Sequence, residues 1–195
     1  MAADERTPAE RTPPGQILTR DWPVLHYGNV PKVNIANWRF QIYGVVADEL
    51  MLTREDFMKL PRSKVRCDIH CVTHWSRLDN EFEGVLLKDL LQLVKVKPEA
   101  RYVMFHAAGG WNTNLPLADL MHDDVLFAWR WNGQDLSVEH GWPMRTVVPH
   151  LYFWKSAKWV NAMEFMAEDR PGFWEQNGYH PYGDPWREQR FSDEW

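Results

Sequence analysis

The chain has 195 residues, is 45% hydrophobic and 25% charged, and carries a formal net charge of -5. Those figures describe one ordinary globular domain with a substantial core, and a scattered acidic excess argues against a nucleic-acid-binding face. With two cysteines, no apolar leader at the N-terminus and no apolar run of membrane-spanning length, the sequence predicts no disulfide framework, no signal peptide and no membrane span; the expected setting is cytoplasmic, with both thiols reduced.

Residues 1 to 18, rich in proline and charge, predict a polar, flexible N-terminal tail, followed by a domain over 19–195. DWPVLHYGNVPKV then reads as an ordered irregular loop, and Trp38 to Val46 as a strand by its aromatic and β-branched content. Thr53 with Asp56 has the spacing of a helix-capping pair, so a short helix should run to just before Pro61. Lys64 to Val72 predicts a strand entering a loop. Val85 to Val94 has apolar residues at helical spacing and predicts an amphipathic helix. Tyr102 to Ala107 reads as a strand, Pro116 to Met121 as a short helix, and Leu126 to Leu136 as a hairpin turning at Asn132-Gly133. Met144 to Val148 and Trp159 to Phe165 predict two more strands. The turn-rich, aromatic segment after Arg170 should wrap the domain. The fold class is α+β, mainly β with short helices. Twelve tryptophans either pack the core and its aromatic loops or, some of them, line a pocket for a flat, polar ring.

The densest chemistry lies in CDIHCVTHW, residues 67–75, which holds both cysteines and two histidines. Cys67, His70, Cys71 and His74 offer zinc ligands, but four ligands so close along a strand point apart. The four-residue step between the cysteines is not the Cys-x-x-Cys of thioredoxin-like sites. Burial in the core is the simplest account of Cys67. The histidines at 106, 122, 150 and 180 read as structural or surface residues.

CVTHWS at 71–76 resembles the Cys-x-x-x-Trp-Ser stretch of the sulfite oxidase family of molybdopterin-dependent oxidoreductases, in its methionine-sulfoxide reductase branch. FEGVLLKDLL at 82–91 and HGWPMRTVVPHLYFWKSAKWV at 140–160 resemble later segments of the family. PVLHYG, DIHCVT, TNLPL, WKSAKWV and GDPW recur as a set in its short, single-domain group. The resemblance implies a sulfite oxidase-type molybdopterin-binding fold, a Mo-molybdopterin cofactor with Cys71 as the protein's thiolate ligand to the metal, and oxygen-atom transfer on a small substrate. It implies pterin and phosphate contacts by His26, Tyr27, His140, Arg145 and the Ser156–Ala157–Lys158 run. It also implies electron exchange with a separate partner.

The match departs from the family in two places. Sulfite oxidases carry arginines shortly after the cysteine; here Trp75 and Ser76 stand there, with Arg77 one step on. Ala107 stands where the reductase branch has a pterin-contacting threonine, with Thr113 a candidate replacement. The alternative function is a non-catalytic module, either zinc-stabilised or a cofactor carrier.

Overall fold

A computed structural model describes residues 5–192. Two sheets share the chain. The first is built on a long hairpin, β4 (Ser63–His70) and β5 (Trp75–Leu86), running antiparallel from Ser63 opposite Gly84 to His70 opposite Ser76. β8 (Leu126–Trp131) pairs the far end of β5, and β10 (Arg145–Val147) pairs β8, both antiparallel. β1 (Ile17–Leu18) lies parallel to the start of β5, and β9 (Gln134–Asp135) closes a hairpin with β8 through Asn132-Gly133. The second sheet has the order β3 (Leu50–Thr53), β2 (Arg39–Gly44), β11 (Val160–Met166), β6 (Tyr102–Ala107), β7 (Asn112–Pro116). Its β2–β11 pair is parallel and the rest antiparallel.

The first sheet buries both faces. Along β8, Phe127 and Trp129 enter the larger core with Phe40, Ile42, Phe57, Phe105 and Phe165, while Leu126 and Ala128 enter a second core with Trp22, Ile69, Phe82, Val147 and Phe153. Successive strand residues point to opposite faces, so a strand buried on both sides reads as an unbroken apolar run. Gly84 sits where β5 shifts register against β8; a Cβ there would lie 1.8 Å from the Phe127 carbonyl oxygen.

Most predicted elements form as expected. Thr53 and Asp56 make a reciprocal capping box for α1 (Arg54–Met58). The predicted helix over 85–94 is much shorter: Val85 and Leu86 stay in β5 opposite Phe127 and Leu126, leaving one turn of α2 (Leu87–Leu90) and a 3-10 turn at Leu91–Leu93. Pairing in the sheet outweighs local helical periodicity there. The flexible tail expected over 1–18 also needs correction within the described residues. Arg11 is buried, its guanidinium 2.6 Å from Asp68 and 2.7 Å from Asp79. Gln16 donates to the Cys71 carbonyl at 3.0 Å, and Ile17–Leu18 form β1. Apolar composition could not show this, because ion pairs hold the segment. After α3 (Phe173–Gln176) the C-terminal segment packs back on the domain, with His180 Nδ1 accepting from the Tyr182 and Gly183 amides at 3.0 and 3.1 Å. Among the described residues no helix is long and apolar enough to cross a membrane.

A candidate cofactor cleft between Cys71 and Lys158

The β4–β5 turn presents Cys71. Its amide donates to the Trp75 carbonyl at 2.9 Å and its carbonyl accepts from His74 N at 3.1 Å, while His74 takes a left-handed backbone, φ 67°. The chain thus doubles back around the cysteine and leaves its side chain pointing off the hairpin end. Cys71 Sγ lies 3.1 Å from Thr73 Oγ1. Burial pushes the thiol up, opposed by the Thr73 hydroxyl, nearby backbone amides and the charge of Arg190. Arg190 is buried and donates to the Val72 carbonyl at 2.8 Å, so it supports the turn from behind. Cys67 is farther into the fold, packed beside the second core, and burial drives its thiol well above the usual range. The two thiols therefore sit in different environments.

A cleft of about 330 Å³ opens from Cys71 and runs to Lys158, a volume in the range of small-molecule sites. It gathers all eight site residues expected from sequence: His26, Tyr27, Cys71, His140, Arg145, Ser156, Ala157 and Lys158. Six of the chain's twelve tryptophans line it: Trp22, Trp75, Trp111, Trp154, Trp159 and Trp174.

The far end of the cleft is cationic. Arg145 is fully buried on β10 and donates to the carbonyls of Thr146 at 3.2 Å, His140 at 2.8 Å and Ser156 at 3.1 Å. The guanidinium has five N–H donors, so two remain. Its carbon also stands 4.2 Å from the Phe153 ring centroid and 5.1 Å from that of Trp22. Lys158 Nζ donates to the Leu25 and Glu139 carbonyls at 2.7 and 2.8 Å. Gly141, at φ 113°, lets the His140 loop press against Lys158, whose Cα lies 3.2 Å from where a Cβ would be. Desolvation lowers Arg145 to about 9. Desolvation, with the charge of Arg145, brings Lys158 down to about 7. Neither cation forms an ion pair with a carboxylate among the described residues, and burying charge without a counter-charge is costly. That donor set fits a phosphate.

Between the ends, His140 packs on Trp22 with centroids 3.9 Å apart; burial, then the charge of Arg145, lowers its pKa. His26 and Tyr27 are exposed at the rim. Ser156 and Ala157 act through structure as well: Val148 N donates to Ser156 Oγ at 2.9 Å, and Thr146 N to the Ala157 carbonyl at 2.9 Å. Thr113 lines the cleft, whereas Ala107 on β6 does not, which favours Thr113 as the replacement contact. Arg77 turns away from Cys71, donating to the Arg20 carbonyl at 3.1 Å and standing 4.7 Å from the Trp131 ring centroid.

Sequence reasoning missed Tyr179, Trp154, Trp174 and Arg190. Trp174, Tyr179 and Arg190 reach the cleft or the back of Cys71 only because the C-terminal segment folds back, and no motif marks them; Trp154 lies within the WKSAKWV run. Lys155 of the same WKSAKWV run does not reach the cleft. Lys155 is buried, 2.6 Å from Glu175, and serves the scaffold. The zinc reading of residues 67–74 loses its geometry: His70 Nδ1 contacts Ser76 Oγ at 2.8 Å, His74 Nδ1 contacts the Gly15 carbonyl at 2.9 Å, and those four side chains do not converge among the described residues.

Comparison with known proteins places the chain in a family. The sequence profile of the oxidoreductase molybdopterin binding domain matches residues 27–174. An uncharacterized oxidoreductase of Bacillus subtilis, YuiH, is 51% identical over 93% of this chain and 92% of its own length. The putative protein-methionine-sulfoxide reductase subunit YedZ1 of Azospira oryzae is 29% identical over 87% of this chain and 66% of its own. Among solved structures, the sulfane dehydrogenase SoxCD of Paracoccus pantotrophus superposes with a TM-score of 0.67 at 26% identity, over 73% of this chain and 41% of that one. The chain belongs to the molybdopterin-binding oxidoreductase family, with the mainly β fold expected of it, and is an oxidoreductase of that class.

Proposed function

We propose that this member of the family holds Mo-molybdopterin in the cleft, with Cys71 as the protein ligand to the metal, and catalyses oxygen-atom transfer on a small neutral substrate. The observation that carries the reading is the cleft's polarity: a thiol at one end and two cations without carboxylate partners at the other. Arg145 and Lys158 would hold the phosphate end of the pterin, Arg145 through its two remaining donors. His140 and Thr113 would meet the pterin's polar edge, and the rim residues His26 and Tyr27 would cover it. When bound, the cofactor supplies the redox chemistry and the exchangeable oxygen. Cys71 supplies a soft anionic ligand, which must be deprotonated to bind; Arg190 and Thr73 ease that loss of a proton at Sγ. Trp75, Trp111 and Tyr179 exclude water from the metal end.

The substrate class follows from what surrounds Cys71. Val72, Thr73, Trp75, Trp111 and Tyr179 are all uncharged, Arg190 is turned to the backbone, and Arg77 faces another side. An anion such as sulfite would find no positioned cation there, while a neutral sulfoxide or N-oxide would meet an aromatic wall. Electrons pass to or from a separate partner, and the protein works in the cytoplasm.

Elemental analysis of protein made in a molybdopterin-producing host, paired with fluorescence of the released, oxidised pterin, tests the cofactor. Near-stoichiometric molybdenum with pterin supports the reading; neither one present after such expression refutes it. Turnover of neutral sulfoxides and N-oxides against sulfite then tests the substrate class, and a loaded protein inactive on all three would point to a cofactor carrier.

A further inference from the structure

We infer that the protein carries a second, zinc-class metal site formed by Asp119, His122 and His150, separate from the cleft. One ligand atom from each of the three lies within 4.8 Å of the others. Asp119 belongs to the 3-10 turn Leu117–Met121, His122 ends that turn, and His150 comes from the loop that follows β10. None of them lines the cleft.

Proximity alone would allow a simple ion pair, but the polar atoms do not satisfy one another. Asp119 is 8% exposed, and its Oδ2 is buried with no hydrogen-bond partner among the described residues. Both ring nitrogens of His150 are likewise buried without one. His150 Nε2 stands 3.3 Å from Asp119 Oδ1, a contact whose geometry is not that of a hydrogen bond. The His122 ring lies over the His150 ring with centroids 4.3 Å apart and planes 30° from parallel. Buried polar atoms are nearly always satisfied, and the group that answers this set takes one lone pair from an Asp119 oxygen and one from a single His150 nitrogen, the other ring nitrogen keeping its proton. A metal ion does this.

Two imidazoles with one carboxylate select a borderline transition ion over calcium or magnesium, which take oxygen ligands. His122 is exposed, which provides the entry path and leaves a coordination position for water. The carboxylate is already oriented: the Tyr182 hydroxyl donates to Asp119 Oδ1 at 3.1 Å, as partners outside a metal's own ligands commonly do. Donor atoms about 2.0–2.2 Å from zinc need closer approach than the present spacing, and the exposed His122 side chain can supply that movement. An ion there would tie the 117–122 turn to the 148–151 loop and, through Tyr182, to the C-terminal wrap.

The test is zinc competition against a chromophoric chelator on the purified, chelator-stripped full chain, compared with His122→Ala and Tyr182→Phe. His122 is exposed, so its replacement leaves the fold and the Cys67–Cys71 segment intact. Expected are one equivalent of zinc in the wild type, a loss of about 100-fold or more in affinity in His122→Ala, and about 10–100-fold in Tyr182→Phe. X-ray absorption at the zinc edge should show an imidazole and oxygen shell, and molybdenum content should be equal in all three proteins. Zinc bound equally well by His122→Ala, a sulfur shell, or no zinc bound by the wild type would each overturn the site, and none of these results bears on the cofactor in the cleft.

Discussion

If the cleft holds the phosphate as proposed, Lys158 makes cofactor uptake pH-dependent with a defined sign. In the cofactor-free protein its ammonium is pulled down to about 7 from an ordinary 10.5, first by desolvation and then by Arg145. A bound phosphate restores the missing counter-charge, so the lysine is protonated in the complex up to about its ordinary value. Uptake therefore takes a proton from solution at any pH between those two values. The phosphate's own second ionisation, near 6, is complete by pH 7 and leaves the window clean. For a single linked proton, affinity should fall roughly 50-fold from pH 7 to pH 9, about 2.3 kcal/mol at 1.36 kcal/mol per unit. Water at the partly buried Nζ trims this to between roughly tenfold and 50-fold. The assay is anaerobic equilibrium loading of cofactor-free protein, read as retained pterin fluorescence, for wild type and Lys158→Met. Wild type should show the fall, and the variant should bind more weakly and lose most of the slope between pH 7 and 8, where Arg145 is still protonated. Stability gives a second reading. Between pH 7 and 10.5 the unfolded chain holds more protons at Lys158 than the folded one, so this residue's contribution makes the cofactor-free protein more stable as pH rises. A pH-independent wild type, or a variant with the same slope, would refute the role of Lys158.

Replacing Cys71 by Ser should abolish redox activity and weaken molybdenum retention while Cys67→Ser leaves both near wild type, measured by turnover and metal analysis; equal losses would remove the distinction drawn from their surroundings. Arg145→Ala should lower pterin occupancy at every pH, since it removes both a phosphate donor and the tie between the His140 and Ser156 carbonyls; full occupancy would exclude it from the site. Lys155→Met should cost about 3–5 kcal/mol, because Glu175 is left charged and buried, a fall of roughly 6–20 °C in Tm; the Lys155→Met, Glu175→Met double variant should recover most of it, and a single variant melting with wild type would contradict the pairing. Gly84→Ala should cost about 3 kcal/mol or more, since the new Cβ meets a backbone oxygen that cannot yield; a normal denaturant midpoint would show that β5 and β8 can separate there.

The strands were legible where local pattern and tertiary role coincide. Tyr102–Ala107 and the Asn132-Gly133 hairpin follow directly from residue type. Residues 85–94 were not, since the same apolar spacing serves a helix face or a strand buried on both sides, and only the distant partner β8 decides. The site was legible through its ordered motifs, Cys71 before Arg145 before Lys158, which lie in turns and short strands whose backbone the sequence marks with glycine and proline. It was not legible at Tyr179, Trp174 and Arg190, which reach Cys71 through packing over a hundred residues of chain. His122 and His150 are 28 positions apart with no motif between them, and their meeting depends on the 3-10 turn at Leu117–Met121. The Cys/His run at 67–74 does not converge on an ion for the reason its spacing already gives: closeness along a strand turns side chains apart.

The distribution of buried charge explains why the cleft can be recognised before anything is bound in it. Two other cations that the fold buries are neutralised by carboxylates. Lys155 has Glu175 at 2.6 Å, and Arg11 has Asp68 and Asp79. In the cleft, two neighbouring cations, Arg145 and Lys158, rely instead on backbone carbonyls, whose partial charges orient them without cancelling them. A carboxylate in that place would stabilise the cofactor-free protein, but it would also repel the phosphate. The fold accepts the destabilisation, and on the proposed reading binding of the anion would remove it, so that the energy withheld from folding would appear as affinity. The thiol at the other end obeys the same logic: burial disfavours the Cys71 thiolate until a metal cation arrives to favour it. Both ends of the cleft are thus set against their charged states in isolation, and a single ligand with a metal at one end and a phosphate at the other relieves both.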